Sequence, residues 1–224
     1  TNIGADVSIN AGALDLADET TYYVSVRATD GVGHVSGVVT TNGIIADHTG
    51  PSGTTVSDGD STDIELQNDL VSFSGNWESF SDEYSGMAYH EAALYDATGG
   101  IYIVNWTDVG EDTTTTFYGL TLVAGRTYEI HVRGVDLVGN TGAIIESDGV
   151  LIDLSAPTVP VNLVGWFTTG RIFLEWTANT EPDLGHYSVY GGTENNPTDL
   201  LLTTTENTVE AFMPDYQDGV LYYL

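Results

Sequence analysis

The run Asp58-Gly59-Asp60-Ser61-Thr62-Asp63 places three carboxylates on one short stretch of turn-forming residues. Carboxylates so spaced can wrap a hard cation such as calcium, which takes about six to eight oxygens. The run lacks the spacing and closing Glu of an EF-hand loop, and it equally suits a polar turn whose Asp side chains cap their own backbone. Asp47 and Asp153 each lie four residues before a Pro, Pro51 and Pro157, and Asp30 and Asp136 lie at turns. A second form of the same expectation puts calcium at these boundaries, neutralising like charge between neighbouring modules.

Other chemistry is sparser. His90-Glu91 begins like a zinc-protease helix, but Leu94 stands where the second His belongs. His90 shares a strand face with Ala92 and Leu94 and reads as a hydrogen-bonded histidine beside the core. His34, His48, His131 and His186 make no metal-ligand spacing with one another. There is no G-x-S-x-G elbow, no phosphate-cradling Gly loop before a helix, and no carboxylate pair singled out for glycoside hydrolysis. The expectation is a non-enzyme with no catalytic residue and no organic cofactor.

Asn105-Trp106-Thr107 matches the N-glycosylation pattern, and Thr113, Thr114, Thr115 and Thr116 form a hydroxyl-rich run open to O-glycosylation or simply suited to a pleated strand. Trp106, Trp166, Tyr95 and Tyr102 offer a sugar-stacking platform, a cover for strand seams, or a contact surface for another copy.

What must position these groups begins with composition. Four Arg, no Lys and 33 acids give a formal charge of −29, which repels nucleic acid and anionic membranes. No Cys is present, so disulfides and thiolate sites are excluded. No apolar run approaches the roughly 20 residues that span a bilayer. The chain begins with Thr and shows no signal peptide, so it reads as an excerpt of a longer protein.

Thr21–Pro51 aligns with Thr127–Pro157 without a gap at a constant spacing of 106, and ten of the 31 positions are identical. Each copy reads as two strands. Tyr128, Ile130 and Val132 alternate with Glu129, His131 and Arg133, and Tyr22, Val24, Val26 and Ala28 repeat that inward set. Upstream, Val71, Phe73, Gly75 and Trp77 alternate, and further strands fall at His90–Tyr95, Ile101–Trp106 and Thr114–Leu120. Turn-rich pieces, DVGED (108–112) among them, separate these strands. Later, Ile172, Leu174 and Trp176 form one strand and Tyr187–Tyr190 another. About seven short strands per hundred residues without helical periodicity predict an all-β fold of successive sandwiches arranged end to end.

The run LEWTANTEPDLGHYSVYGGT, Leu174–Thr193, resembles the B-to-C region of a fibronectin type III domain. The resemblance implies that Trp176 packs under Tyr187. The spacing Leu-x5-Tyr resembles the family's tyrosine corner at Leu16/Tyr22 and Leu122/Tyr128, whereas Tyr216 replaces the Leu before Tyr222. The middle unit resembles a variant common in large bacterial surface and secreted proteins. Its matching pieces are SDGDSTDIELQ, NWESFSDEYSGM, VNWTDVG, RTYEIHVRGVDLVGN and DGVLIDLSAP. These imply a core built on Trp77, Tyr22, Tyr128, Trp176 and Tyr187.

The expected organisation is a C-terminal part of one domain (1–50), a complete domain (51–156) and an N-terminal part of a third (157–224). The expected role is an extracellular or cell-surface stalk, adhesin or filament, with neighbouring repeats or other copies as partners. Alternatives are a spacer in a secreted hydrolase and a calcium-dependent binder of surface glycans or protein. No membrane insertion is expected. Tyr22-Tyr23 and Tyr222-Tyr223, 200 residues apart, hint that a two-domain unit recurs.

Overall fold

The structure, a computed structural model, describes residues 8–168, 171–212 and Leu221. It divides into two compact units, Thr1–Leu154 and Ser155–Leu224. All regular elements among the described residues are β-strands, and no helix is long and apolar enough to cross a membrane.

The first unit opens with four short strands: β1 (Thr20–Tyr22), β2 (Ser25–Val26), β3 (Val39–Thr40) and β4 (Ile44–Ala46). β1 pairs antiparallel with β4, and β2 with β3. There follow β5 (Val56–Asp58), β6 (Leu66–Gln67), β7 (Ser72–Trp77), β8 (Met87–Asp96), β9 (Ile101–Gly110), β10 (Thr114–Tyr118), β11 (Thr127–Asp136), β12 (Ile145–Glu146) and β13 (Val150–Ile152). These make two sheets. One has the order β10-β7-β5; the other runs β6-β13-β11-β8-β9, with β12 beside β11.

Alternation explains the sandwich. Along β7 every second residue, Phe73, Gly75 and Trp77, is buried, and Ala92, Leu94, Tyr128, Ile130, Val132, Val150 and Ile152 face them from the second sheet. Each large apolar side chain so buried contributes about 1.5–3 kcal/mol. Gly75 lets β7 and β11 approach closely, since a Cβ there would meet Ile130 Cγ2 at 2.7 Å. Two expectations need correcting. The alternation places Val71 on the inner face, but the strand starts at Ser72, and Val71 is exposed with its N–H donating to Asp69 Oδ1 at 2.8 Å. Asp108–Gly110 reads as a turn, yet β9 continues through it, because register shifts between β8 and β9 carry the pairing to Gly110.

The repeat is present as geometry. Thr21 pairs with Ile45 and Tyr22 with Ile44, just as Thr127 pairs with Leu151 and Tyr128 with Val150. Both turns agree too: Asp30 Oδ1 accepts the N–H groups of Val32 and His34, and Asp136 Oδ1 accepts those of Val138 and Asn140. Gly33 and Gly139 close these turns at φ +96° and +94°, which only glycine adopts freely. Burial separates the copies. Val24 and Val26 are 54% and 57% exposed, while their counterparts Ile130 and Val132 are fully buried. β8 pairs along β11 and the opposing sheet covers it; among the described residues no strand does this for the first hairpin.

The second unit has β14 (Val161–Thr168), β15 (Arg171–Thr177), β16 (Tyr187–Tyr190), β17 (Leu200–Thr204) and β18 (Thr208–Phe212). A sheet β14-β15-β18 faces the hairpin β16-β17 over Ile172, Leu174, Trp176, Tyr187 and Val189. Trp176 meets Tyr187 edge-on at 4.9 Å. Tyr216, Tyr222 and Tyr223 lie outside the described residues.

Candidate functional site

β5 ends on Asp58, whose side chain turns inward. Gly59 follows at φ +92°, with the Thr62 carbonyl where a Cβ would stand. The Gly59 N–H donates to Ser74 O (2.9 Å) and Asn76 Nδ2 to Gly59 O (3.1 Å), which bind the turn onto β7. Asp63 Oδ1 accepts the Asp58 N–H at 3.0 Å. From the other sheet, Gly149 N–H donates to Asp58 Oδ2 at 2.9 Å and brings Asp148 alongside. One carboxylate oxygen each from Asp58, Asp63 and Asp148 lies within 4.8 Å of the others. Asp58 has no solvent exposure, and its Oδ1 is buried without a hydrogen-bond donor. Burial pushes the Asp58 carboxyl up to about 6; the Ser147 hydroxyl and Gly149 N–H oppose this, and Asp63 and Asp148 add to it. Asp60 stays exposed, accepting from Ser61 Oγ at 3.2 Å. Of the three acids marked by spacing, the fold joins two and adds Asp148. Spacing along the chain carries no trace of Asp148, because the pairing of distant strands brings it in.

A second group forms where the first hairpin meets the sandwich. Asp47, Asp82 and Asp136 each offer an oxygen within 4.8 Å of the others. These carboxylates are well supplied with donors. Ser85 N–H donates to Asp47 Oδ2 (3.1 Å), the N–H groups of Ser85 and Gly86 to Asp82 Oδ1 (2.8 Å each), and Asn140 Nδ2 to Asp136 Oδ2 (2.7 Å). Asn140 Nδ2 also reaches Asp47 O at 3.1 Å. Backbone meets backbone here: a Cβ on Gly142 would overlap the Pro51 carbonyl, and one on Gly50 would overlap Thr141.

The outward side of the larger sheet carries an aromatic layer. Tyr95 stacks on the buried His131 (4.8 Å, 29°), and the Tyr102 hydroxyl shares a hydrogen bond with His131 Nδ1 (2.9 Å). Glu129 Oε2 lies 3.3 Å from His131 Nε2, and Arg133 caps the Trp106 ring at 4.2 Å while pairing with Glu91. Burial raises the Tyr102 phenol above its ordinary value, with Glu146 and Tyr95 adding and Arg133 opposing. Tyr95 and Tyr102 tilt by 60° and Tyr102 and Trp106 by 50°, so these rings share no single plane. Trp166, half exposed, stacks on Phe173 in the second unit.

Both Leu-x5-Tyr spacings close the same bond. Ala17 N–H donates to the Tyr22 hydroxyl (2.8 Å) and Val123 N–H to the Tyr128 hydroxyl (3.1 Å). In each case the donor follows the Leu, as a tyrosine corner requires, and the middle sandwich sets three strands against a sheet whose paired neighbours come from distant sequence. The chain is a tandem of fibronectin type III-like sandwiches.

No family model matches it. It is 35% identical over 113 residues to chitinase A1 of Niallia circulans, covering 46% of this chain and 15% of that protein. It is 30% identical over 114 residues to exoglucanase B of Cellulomonas fimi, covering 47% and 10%. The chain thus spans a small part of the curated relatives it matches. Among solved structures, the FN1-FN3 domains of chicken CNTN1 align over 93% of this chain and 70% of that one, at 14% identity and a TM-score of 0.44. Titin domains A168-A170 align over 61% and 42%, at 16% and 0.39.

In the fibronectin type III-like frame the remaining marked residues fall as follows. Trp77 and Tyr128 lie in the middle core, Tyr22 is half-buried, and Trp176 and Tyr187 lie in the second unit's core. Asn105 is exposed on β9, and Thr107 Oγ1 donates to its carbonyl at 3.0 Å. Thr114 is exposed; Thr113, Thr115 and Thr116 are half-buried, with Thr116 Oγ1 2.9 Å from Ser74 Oγ. His90 is buried between Trp77 and Phe80, and its Nε2 accepts the Phe80 N–H at 3.2 Å. An apolar hollow of about 330 Å³ in the second unit is lined by nine residues, of which Leu174, Trp176, Tyr187 and Val189 also build that unit's core, so it opens into the core.

Proposed function

We propose that the chain is a non-enzymatic structural segment of an extracellular or cell-surface protein, a stalk, adhesin or filament in which sandwiches follow one another end to end. The observation that carries this is the joint at Gly50-Pro51. Asn140 ties the incoming strand to the next sandwich's turn, and Gly142 and Gly50 let backbone rest on backbone, which leaves little room for bending. A spacer tolerant of any orientation needs no such fit. Neighbouring repeats or copies of the same protein are the partners this joint suits. Small-angle scattering from a polypeptide carrying several consecutive repeats tests it. A stiff rod supports the reading; a flexible string of beads would falsify it.

A second reading, a spacer in a secreted polysaccharide hydrolase, is favoured by the likeness to the chitinase and the exoglucanase. Hydrolases of insoluble polysaccharide work outside cells, which supports the extracellular setting under both readings. Deleting the segment from its parent protein separates the two: a hydrolase lacking its spacer loses activity on insoluble polymer while keeping it on soluble substrate.

A further inference from the structure

We propose that Asp58, Asp63 and Asp148 hold a calcium ion that ties the turn after β5 to the start of β13. The inference stands independently of the role assigned to the chain. Three acids together are not in themselves a site, since exposed carboxylates gather on many acidic surfaces. What distinguishes this group is Asp58. It is fully buried, Gly149 N–H serves its Oδ2, the Ser147 hydroxyl lies beside the carboxyl, and no hydrogen bond of ordinary geometry reaches its Oδ1. A buried anionic oxygen without a partner is expensive to keep. Among the described residues no ion pair reaches Asp58: Arg126, Arg133 and Arg171 engage Asp96, Glu91 and Glu210 instead.

A cation answers each feature at once. It supplies a partner for the Asp58 carboxylate and cancels the repulsion among three carboxylates that each place one oxygen within 4.8 Å of the others. That distance is about the span of two calcium–oxygen bonds of roughly 2.3–2.6 Å each. Magnesium is the poorer match, because it demands bonds of about 2.0–2.1 Å and gives up its waters reluctantly. Water and turn carbonyls would complete the shell. The ion would join residues 85 to 90 positions apart in sequence and so clamp the two sheets where β5 ends.

The test is thermal melting of the full chain, followed by tryptophan fluorescence, in chelator and in millimolar calcium chloride. The wild-type midpoint should rise by roughly 5 °C or more if calcium is well above its Kd. Asp63→Asn and Asp148→Asn should each lose most of that rise. Both side chains are exposed, and the amide oxygen that Asp63→Asn leaves in place can still accept the Asp58 N–H, so both variants are expected to fold. In chelator the two variants should melt at or above wild type, because a like charge has been removed beside Asp58. Asp60→Asn should keep the full calcium response. The proposal is overturned if wild type shows no rise, if the rise survives both substitutions, or if magnesium produces an equal one. It is also overturned if either variant melts below wild type in chelator, which would make these carboxylates ordinary structural caps.

Discussion

His90 and Asp58 are both buried ionisable groups in one sandwich, and they push its pH dependence in opposite directions. Burial holds the His90 ring below the ordinary histidine value, against backbone groups of Gly110 and Asp112 that favour the charged form. The unfolded chain takes that proton near pH ~6.5 and the folded chain only at lower pH, so stability is intact above about 6.5 and falls as pH drops through the folded value. Protonation would also remove the acceptor of the Phe80 N–H. Asp58 sits at about 6 in the fold, above its unfolded value, so its protonation adds stability as pH falls. Comparison of wild type with His90→Gln isolates the histidine. Urea midpoints measured from neutral pH to about 5 should fall less steeply in the variant, which keeps an acceptor for Phe80 and loses the titrating ring. Equal slopes would mean His90 is protonated in the fold. The tyrosine corner yields a second expectation. Tyr128→Phe removes the hydroxyl that accepts the Val123 N–H and should lower stability by about 1 kcal/mol in a denaturant melt.

At the scale of strands, the same residue in two copies does different work. Val26 and Val132 occupy equivalent places, yet one is 57% exposed and the other fully buried. Val132→Ala should destabilise the chain by about 2 kcal/mol through lost burial and the cavity left behind, and Val26→Ala by less than about 0.5 kcal/mol. Equal effects in chemical denaturation would show that the first hairpin buries its inner face after all. The two strands of each hairpin were legible from a 31-residue alignment, and the structure adds their register, Tyr22–Ile44 and Tyr128–Val150. Period-2 alternation is local, and so are the turn residues that set register. The bulged pairing of β8 with β9 was not legible, since a register shift leaves no mark on hydrophobic spacing. Asp148 was hidden for the related reason that its neighbours Asp58 and Asp63 lie across the sandwich. In the first copy Asn42 stands at the matching place, so even the repeat gave no acidic signal there.

Across the whole molecule, 33 acids against four Arg mean that every compact arrangement works against its own charge. Apolar burial must then be continuous for a piece to stand alone, and only some pieces achieve it. The middle sandwich closes its two sheets over one core, and on the upstream side Asn140 bonds Asp47 O next to the Gly50-Pro51 joint. Pro51 is itself fully buried. A fragment of residues 47–154 therefore contains its whole core and its joint. A fragment of residues 8–46 contains paired strands whose inner side chains, Val24, Val26 and Ile44, face solvent, and a lone pair of strands is marginal in water. The longer fragment should melt cooperatively, with its near-ultraviolet dichroism lost in one step. The shorter should show no such signal at any temperature. Gly142→Ala in the intact chain probes the joint between them, because the added methyl group meets the Pro51 carbonyl and must push the strand away. It should lower stability by roughly 1–3 kcal/mol and leave residues 8–46 more open to limited proteolysis. A cooperative melt from residues 8–46 alone, or unchanged proteolysis in Gly142→Ala, would mean that the hairpin does not lean on the sandwich that follows it.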